Sequence, residues 1–177
     1  MLFRTGALVY KHYFLRPLKV QMTLTKESLA GKIDGVIRSA GFAYICVGQE
    51  GRTPPFAYTI GLTETYGCPE LLIFGVGQQV AHAVFHGLVD KIKAGVRFAD
   101  GDLVSQVLNV PCAIKEVSGE AARPFVLNVT SRYRGGAHTP AFQQVVYPDQ
   151  AGLYPWEVGY AASMRQVQTE LWSAKFH

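Results

Sequence analysis

The stretch Pro54-Pro55-Phe56-Ala57-Tyr58-Thr59-Ile60-Gly61-Leu62-Thr63-Glu64-Thr65-Tyr66-Gly67-Cys68-Pro69-Glu70-Leu71-Leu72-Ile73-Phe74-Gly75-Val76 decides how this chain folds. From Phe56 to Leu62 large and small residues alternate, with Phe56, Tyr58, Ile60 and Leu62 on one side and Ala57, Thr59 and Gly61 on the other. That period of two is a strand. Glu70–Val76 is apolar on both faces and reads as a central strand. The connection Thr63–Pro69 is short enough to make the two antiparallel neighbours.

The period then changes. Ala81, Val84, Phe85, Leu88 and Ile92 form one stripe of a helix over Gln78–Ala94, which docks on the sheet. Upstream, Thr23 or Thr25 caps a helix carrying Leu29, Ile33, Val36 and Ile37, with Gly41 as its stop. Phe42–Gly48 follows as a strand. Downstream, Val110–Val117 is a strand that Pro111 confines to an edge or bulge at that end. Ala121–Arg134 is ambiguous between helix and strand. Phe142–Tyr147 is the last strand, followed by the turn Pro148–Gly152, the loop Leu153–Tyr160, and a helix or tail over Ala161–Phe176. Strands in runs with helices before, between and after predict an α+β fold. The expected sheet is mainly antiparallel, curved or barrel-like because several strands carry glycine, with two to four packed helices.

Composition agrees with one folded domain. Of 177 residues 49% are hydrophobic and 17% charged, enough apolar material for a core without staples. The net charge of +4 is not spread over the chain. Arg4, Lys11, Arg16 and Lys19 give residues 1–22 all of it, leaving 13 basic against 13 acidic residues in the rest. The body lacks the basic surplus of a nucleic-acid binder, apart from the short Arg132–Arg134 pair, which argues against nucleic acid as a partner. Residues 1–21 are expected to lie outside the domain as a basic extension, disordered or from an early start, with a transit peptide as the alternative. Residues 22–160 form the domain, and 161–177 a terminal helix or tail. Cys46, Cys68 and Cys112 are odd in number and make no CxxC pair, as expected of free thiols in a reducing compartment, here the cytoplasm. No apolar run reaches the roughly 20 residues that span a membrane.

Candidate chemistry falls into four places. The Ala57/Thr59/Gly61 face, with Gly75 on the next strand, permits close approach by a flat ligand, by the 78–94 helix, or by a second copy in a homodimer. The loop 63–69 carries Glu64 and Cys68, and a nucleophilic thiol there needs a base that spacing cannot supply. His82 and His86 stand four apart on one helix flank, but Ala83 replaces the glutamate of the zinc-protease pattern and no third ligand is evident, so no metal is assigned. Asp149, Tyr154, Trp156 and Glu157 lie in the densest segment, where the aromatics and a carboxylate make a pocket wall or plug the sheet's end. Dinucleotide, P-loop and nucleophile-elbow signatures are absent. The candidate ligand-binding set is therefore Tyr58, Thr59, Gly61, Glu64, Asp149, Tyr154, Trp156 and Glu157.

The segment 54–63 with Pro69-Glu70-Leu71, followed by Tyr147-Pro148-Asp149 and 152–157, resembles the two motifs of domain of unknown function family 4262. The resemblance runs from about Met22 to Tyr160. Many members of the family carry histidine or glycine where this chain has Cys68. It implies domain extent and leaves activity open, including whether the protein is an enzyme. Two functions are expected from the residues. One is small-molecule or cofactor binding, with flavin or nucleotide suggested by architecture alone. The other is a non-enzymatic protein-interaction, immunity-like module anchored by the aromatic loop 153–157.

Overall fold

In the computed structural model, which describes residues 7–9 and 26–172, the sheet is built around three consecutive antiparallel strands. These are β2 (Ala43–Val47), β3 (Phe56–Ile60) and β4 (Glu70–Phe74), with Ile45 opposite Tyr58 and Tyr58 opposite Leu72. The expected hairpin is present, and its connection holds a one-turn helix, α2 (Leu62–Tyr66). A short edge strand, β1 (Ala7–Val9), runs parallel to β2. It comes from the expected extension, whose other residues, like the caps at Thr23 and Thr25 and residues 173–177, lie outside the described residues.

On the other side of β4 the pattern departs from expectation. The last strand, β7 (Phe142–Val146), pairs with β4 in parallel, placing Glu70 opposite Phe142. β6 (Cys112–Val117) lies antiparallel beyond β7, and the two-residue β5 (Leu103–Val104) covers its outer edge. The order is β1-β2-β3-β4-β7-β6-β5, a mixed sheet with four antiparallel and two parallel pairings, mainly antiparallel as expected; it is not closed, which corrects the barrel-like expectation. The long excursion between β4 and β7 explains the parallel pair. It contains α3 (Gln78–Lys93) and returns the chain to the same end of the sheet, which a tight turn cannot do.

Both faces of the sheet are covered. α3 buries Ala81, Val84, Phe85, Leu88 and Ile92 against Ala57, Leu71 and Ile73 on one face. On the other, α1 (Lys26–Ala40) and α5 (Leu127–Tyr133) pack on Ile45, Phe56, Tyr58, Ile60 and Leu72. Burying Phe85 or Leu88 contributes about 1.5–3 kcal/mol each. The one-turn helices α4 (Gly119–Ala122) and α6 (Ala162–Arg165) bring the helices to six among the described residues, more than the two to four expected. The ambiguous segment 121–134 is helical. Every residue of β3 is buried, so its alternation separates two cores and not core from water.

No helix among the described residues is long and apolar enough to cross a membrane.

Candidate functional site

A cleft of about 950 Å³ opens between α1, α5 and the β2–β3 connection. α1 supplies Leu29, Ala30, Ile33 and Asp34 as one wall, and the approach to α5 supplies Phe125, Leu127 and Asn128 as the other. Ile45, Phe56, Tyr58 and Ile60 make the floor, all apolar except for one phenol. Glu50 and Thr53 stand at the mouth, where paired backbone hydrogen bonds of 3.2 and 2.9 Å between them hold the connection in place.

Two polar arrangements face this apolar floor. Asn128 Nδ2 donates to the Tyr58 hydroxyl at 2.9 Å, so the hydroxyl accepts there and keeps its own proton to donate. Burial pushes the Tyr58 phenol up to about 12, against the opposing pull of Asn128, and it stays neutral at physiological pH. At the rim, Arg132 donates through Nε and Nη2 to Glu64 Oε1 at 3.0 and 2.8 Å, and through Nη1 to Asp34. One guanidinium thus ties α1, α2 and α5 together between two carboxylates.

The expected ligand face does not survive. Ala57 lies beneath α3. Thr59 is buried, donates to Glu70 Oε2 at 2.7 Å, and accepts from the Leu71 N–H at 2.8 Å. The Gly61 N–H donates to Glu70 Oε1 at 2.9 Å, and a Cβ at Gly61 would meet Ile37 at 2.9 Å. Thr59 and Gly61 are therefore packed against protein, because α3 and α1 occupy the two sides that a ligand would need. Gly75 is closed off in the same way by Val167 and Tyr147.

Glu70, quoted in the sequence motif but not singled out there, is the centre of that arrangement. It also accepts from the Thr63 N–H and the Tyr133 hydroxyl, each at 3.1 Å, and is fully buried. Burial pushes its carboxyl above the usual range, while the hydrogen bonds from Thr59, Thr63, Gly61 and Tyr133 pull the other way. The motif residues Thr59, Gly61, Thr63 and Glu70 converge as a structural lock.

Four expected site residues sit elsewhere. Asp149 accepts from the Ala151, Leu153 and Ala161 N–H groups, and these bonds, Ala161's foremost, hold its carboxyl below the usual range. It organises its own turn. Glu157 accepts from the Tyr154 N–H at 2.6 Å, and the Tyr154 hydroxyl donates to the Pro111 carbonyl at 2.8 Å. Trp156 stacks on Tyr154, meets Trp172 edge-on, and has the Lys115 ammonium 5.4 Å from its ring centre. The loop thus packs over β6, not beside β3, and none of its residues lines the cleft. Of the expected set, Tyr58 is in the cleft and Glu64 reaches it through Arg132. Asp34, Phe125, Asn128 and Arg132 were missed, since they lie on α1, on α5 and on the turn that leads into α5, whose meeting no local spacing reveals.

Cys68 is buried with its Sγ donating to the Tyr66 carbonyl, and burial raises its pKa, which suits an inert thiol. The His82 and His86 rings are 4.3 Å apart, and Tyr44 links its hydroxyl to His82 Nδ1 at 2.8 Å. No group of three or more metal-ligating side chains occurs among the described residues. His86 Nε2 is buried without a hydrogen-bond partner. Burial, together with His82, lowers the His86 pKa, with Lys93 acting in the same direction and Asp90 opposing. Because the folded value is lowered, the unfolded chain takes up the proton first as pH falls below its ordinary 6.5. Stability contributed by neutral His86 is therefore present above that pH and is lost as pH falls toward the folded value. Melting temperatures measured from pH 7.5 to 5.5 should drop more steeply for the wild type than for His86→Gln; parallel curves would show that His86 does not contribute.

Residues 36–161 match the family model described as Domain of unknown function (DUF4262). No curated protein and no solved structure matches the chain.

Proposed function

The chain belongs to the DUF4262 family, whose description carries no activity, and from the cleft we propose that this domain binds a small molecule with a largely apolar body between α1 and α5. The observation that carries this reading is the apolar floor of a roughly 950 Å³ opening with one polar couple, Tyr58–Asn128, set into it. That size and that ratio of apolar wall to fixed polar groups are typical of ligand sites. Exposed apolar surface on the wall, Leu127 foremost, is covered by an apolar body, and the couple offers a donor and an acceptor that orient it.

A phosphate-bearing flavin or nucleotide fits this lining poorly. Arg132 is the cation among the lining residues, and its donors already serve Asp34 and Glu64. The protein-interaction reading is the weaker one, although Trp156 is 49% exposed. Its ring already contacts Tyr154, Trp172 and Lys115, so part of its surface is used within the chain. Three buried, unpaired thiols support a reducing compartment such as the cytoplasm.

Nile red, a neutral dye that brightens in apolar surroundings, tests the cleft directly. Wild-type protein should bind it saturably. Ser131→Trp and Ala30→Trp, both at exposed helix positions lining the opening, should each weaken binding by roughly tenfold or more with little change in melting temperature. Equal binding by both variants, or none by the wild type, refutes the reading.

A further inference from the structure

The cleft carries a local negative charge on a body that is neutral as a whole. Arg132 carries one positive charge and is shared by Asp34 and Glu64, while Glu50 at the mouth has no cation paired with it among the described residues. Among the lining side chains, Asp34 and Glu50 against Arg132 leave one negative charge around the opening. Glu64 is held behind Arg132, but Asp34 is different. One of its oxygens accepts from Arg132, its side chain is 41% exposed, and it lines the cleft. Its second oxygen has no hydrogen-bond partner among the described residues.

The floor adds a second, independent preference. Phe56 and Tyr58 stack with centroids 6.3 Å apart, and Phe125 meets Phe56 edge-on at 5.4 Å, so three aromatic rings line the same opening. Aromatic faces attract cations through the ring quadrupole, and the attraction grows when the cation is desolvated. Carboxylates at the rim and aromatic rings beneath them recognise the same kind of molecule.

We infer that the ligand of this cleft is an organic cation: an apolar body seated against Val47, Phe125 and Leu127, with an ammonium-type head between Asp34 and Glu50. This rests on the binding reading above and names its substrate class. Asp34, with its side chain 41% exposed, and the exposed Glu50 both reach water, so holding them there costs little. A cation entering with its apolar body screens them from solvent and strengthens the attraction. Neutral polar groups of the ligand have Tyr58 and Asn128 to meet.

Three probes with the same chain and different heads separate charge from apolar binding: decyltrimethylammonium, 1-decanol and decanoate, each competing with bound Nile red below its micelle concentration. The ammonium should displace the dye at about a tenth of the concentration that decanoate needs, with decanol between them. Glu50→Gln, which lies outside the Arg132 network, should narrow that gap, as should Asp34→Asn and added salt. Decanoate displacing the dye as well as the ammonium, or a gap untouched by both substitutions, overturns the cation and leaves the cleft reading intact. Failure of the dye itself to bind removes the cleft reading instead.

Discussion

Glu70→Ala should lower the free energy of unfolding by about 3–5 kcal/mol, the cost of leaving the buried donors around it without an acceptor. Two of the four donors on Glu70 are the backbone N–H groups of Gly61 and Thr63, which open α2 and cannot turn elsewhere. Left without an acceptor in the core, each costs about 1–3 kcal/mol. The Tyr133 hydroxyl, which ties the end of α5 to the hairpin, loses its acceptor as well. In a chain of this size the sum corresponds to a fall of roughly 10 °C in melting temperature. Glu70→Gln should cost less, because its amide oxygen still accepts on one side while its NH2 faces donors on the other.

The same carboxyl has a pH signature. Its folded pKa is raised by burial, so the unfolded chain releases the proton first as pH rises. Glu70's contribution is complete below the unfolded value and is lost as pH climbs through the folded one. Chemical denaturation of wild type and Glu70→Gln at acid and neutral pH should show the wild-type advantage shrinking toward neutrality. A loss under 1 kcal/mol for Glu70→Ala would mean that water replaces the carboxylate and that the lock is dispensable.

Gly75→Ala should cost about 2–5 kcal/mol from two additive sources. Gly75 sits at φ 73°, where a side chain is strained by about 1–2 kcal/mol. The added Cβ would also lie 2.3 Å from Val167 Cγ1, 2.6 Å from the Val167 carbonyl oxygen and 2.7 Å from the Tyr147 hydroxyl. Val167 must retreat with its backbone, and Tyr147 must give up its 3.1 Å hydrogen bond to the Phe74 carbonyl, an overpacking cost of about 1–3 kcal/mol. The change should appear as a shifted denaturation midpoint and as faster amide exchange in residues 160–171. Gly67→Ala is the control: it has positive φ but nothing near its Cβ, and should cost only the strain. Equal losses in the two variants would deny the close packing at Gly75.

These two residues show where sequence reading succeeds and where it stops. The alternation at 56–62, the apolar run at 70–76 and the stripe at 81–92 mark their elements because each pattern repeats within one turn or one pleat. The small residues Thr59, Gly61 and Gly75 were correctly seen as places of close approach. What approaches them was not legible. A gap suited to a flat ligand and a gap suited to a helix or a returning chain require the same small side chains, and here Glu70, Ile37 and Val167 fill them. Glu70 itself stood in plain view as a lone acid in an apolar strand, a signal that marks a buried partner network.

The aromatic loop misled for a related reason. Asp149, Tyr154, Trp156 and Glu157 are dense in chemistry, but their hydrogen bonds close on their own turn and on Pro111. Local self-satisfaction looks the same in sequence as a site awaiting a ligand.

Periodicity, turn chemistry and charge placement determined the elements of this protein, the antiparallel hairpin at its centre and the neutral body behind a basic start. Only the tertiary structure decided that β7 returns parallel to β4, that a cleft opens between α1 and α5, and that Asp34, Asn128 and Arg132 meet there. The division follows from range. Backbone periods are set by neighbours a few residues apart and are written in the chain. The 98-residue separation between Asp34 and Arg132 is closed by the packing of two helices on a shared sheet, which no local pattern encodes.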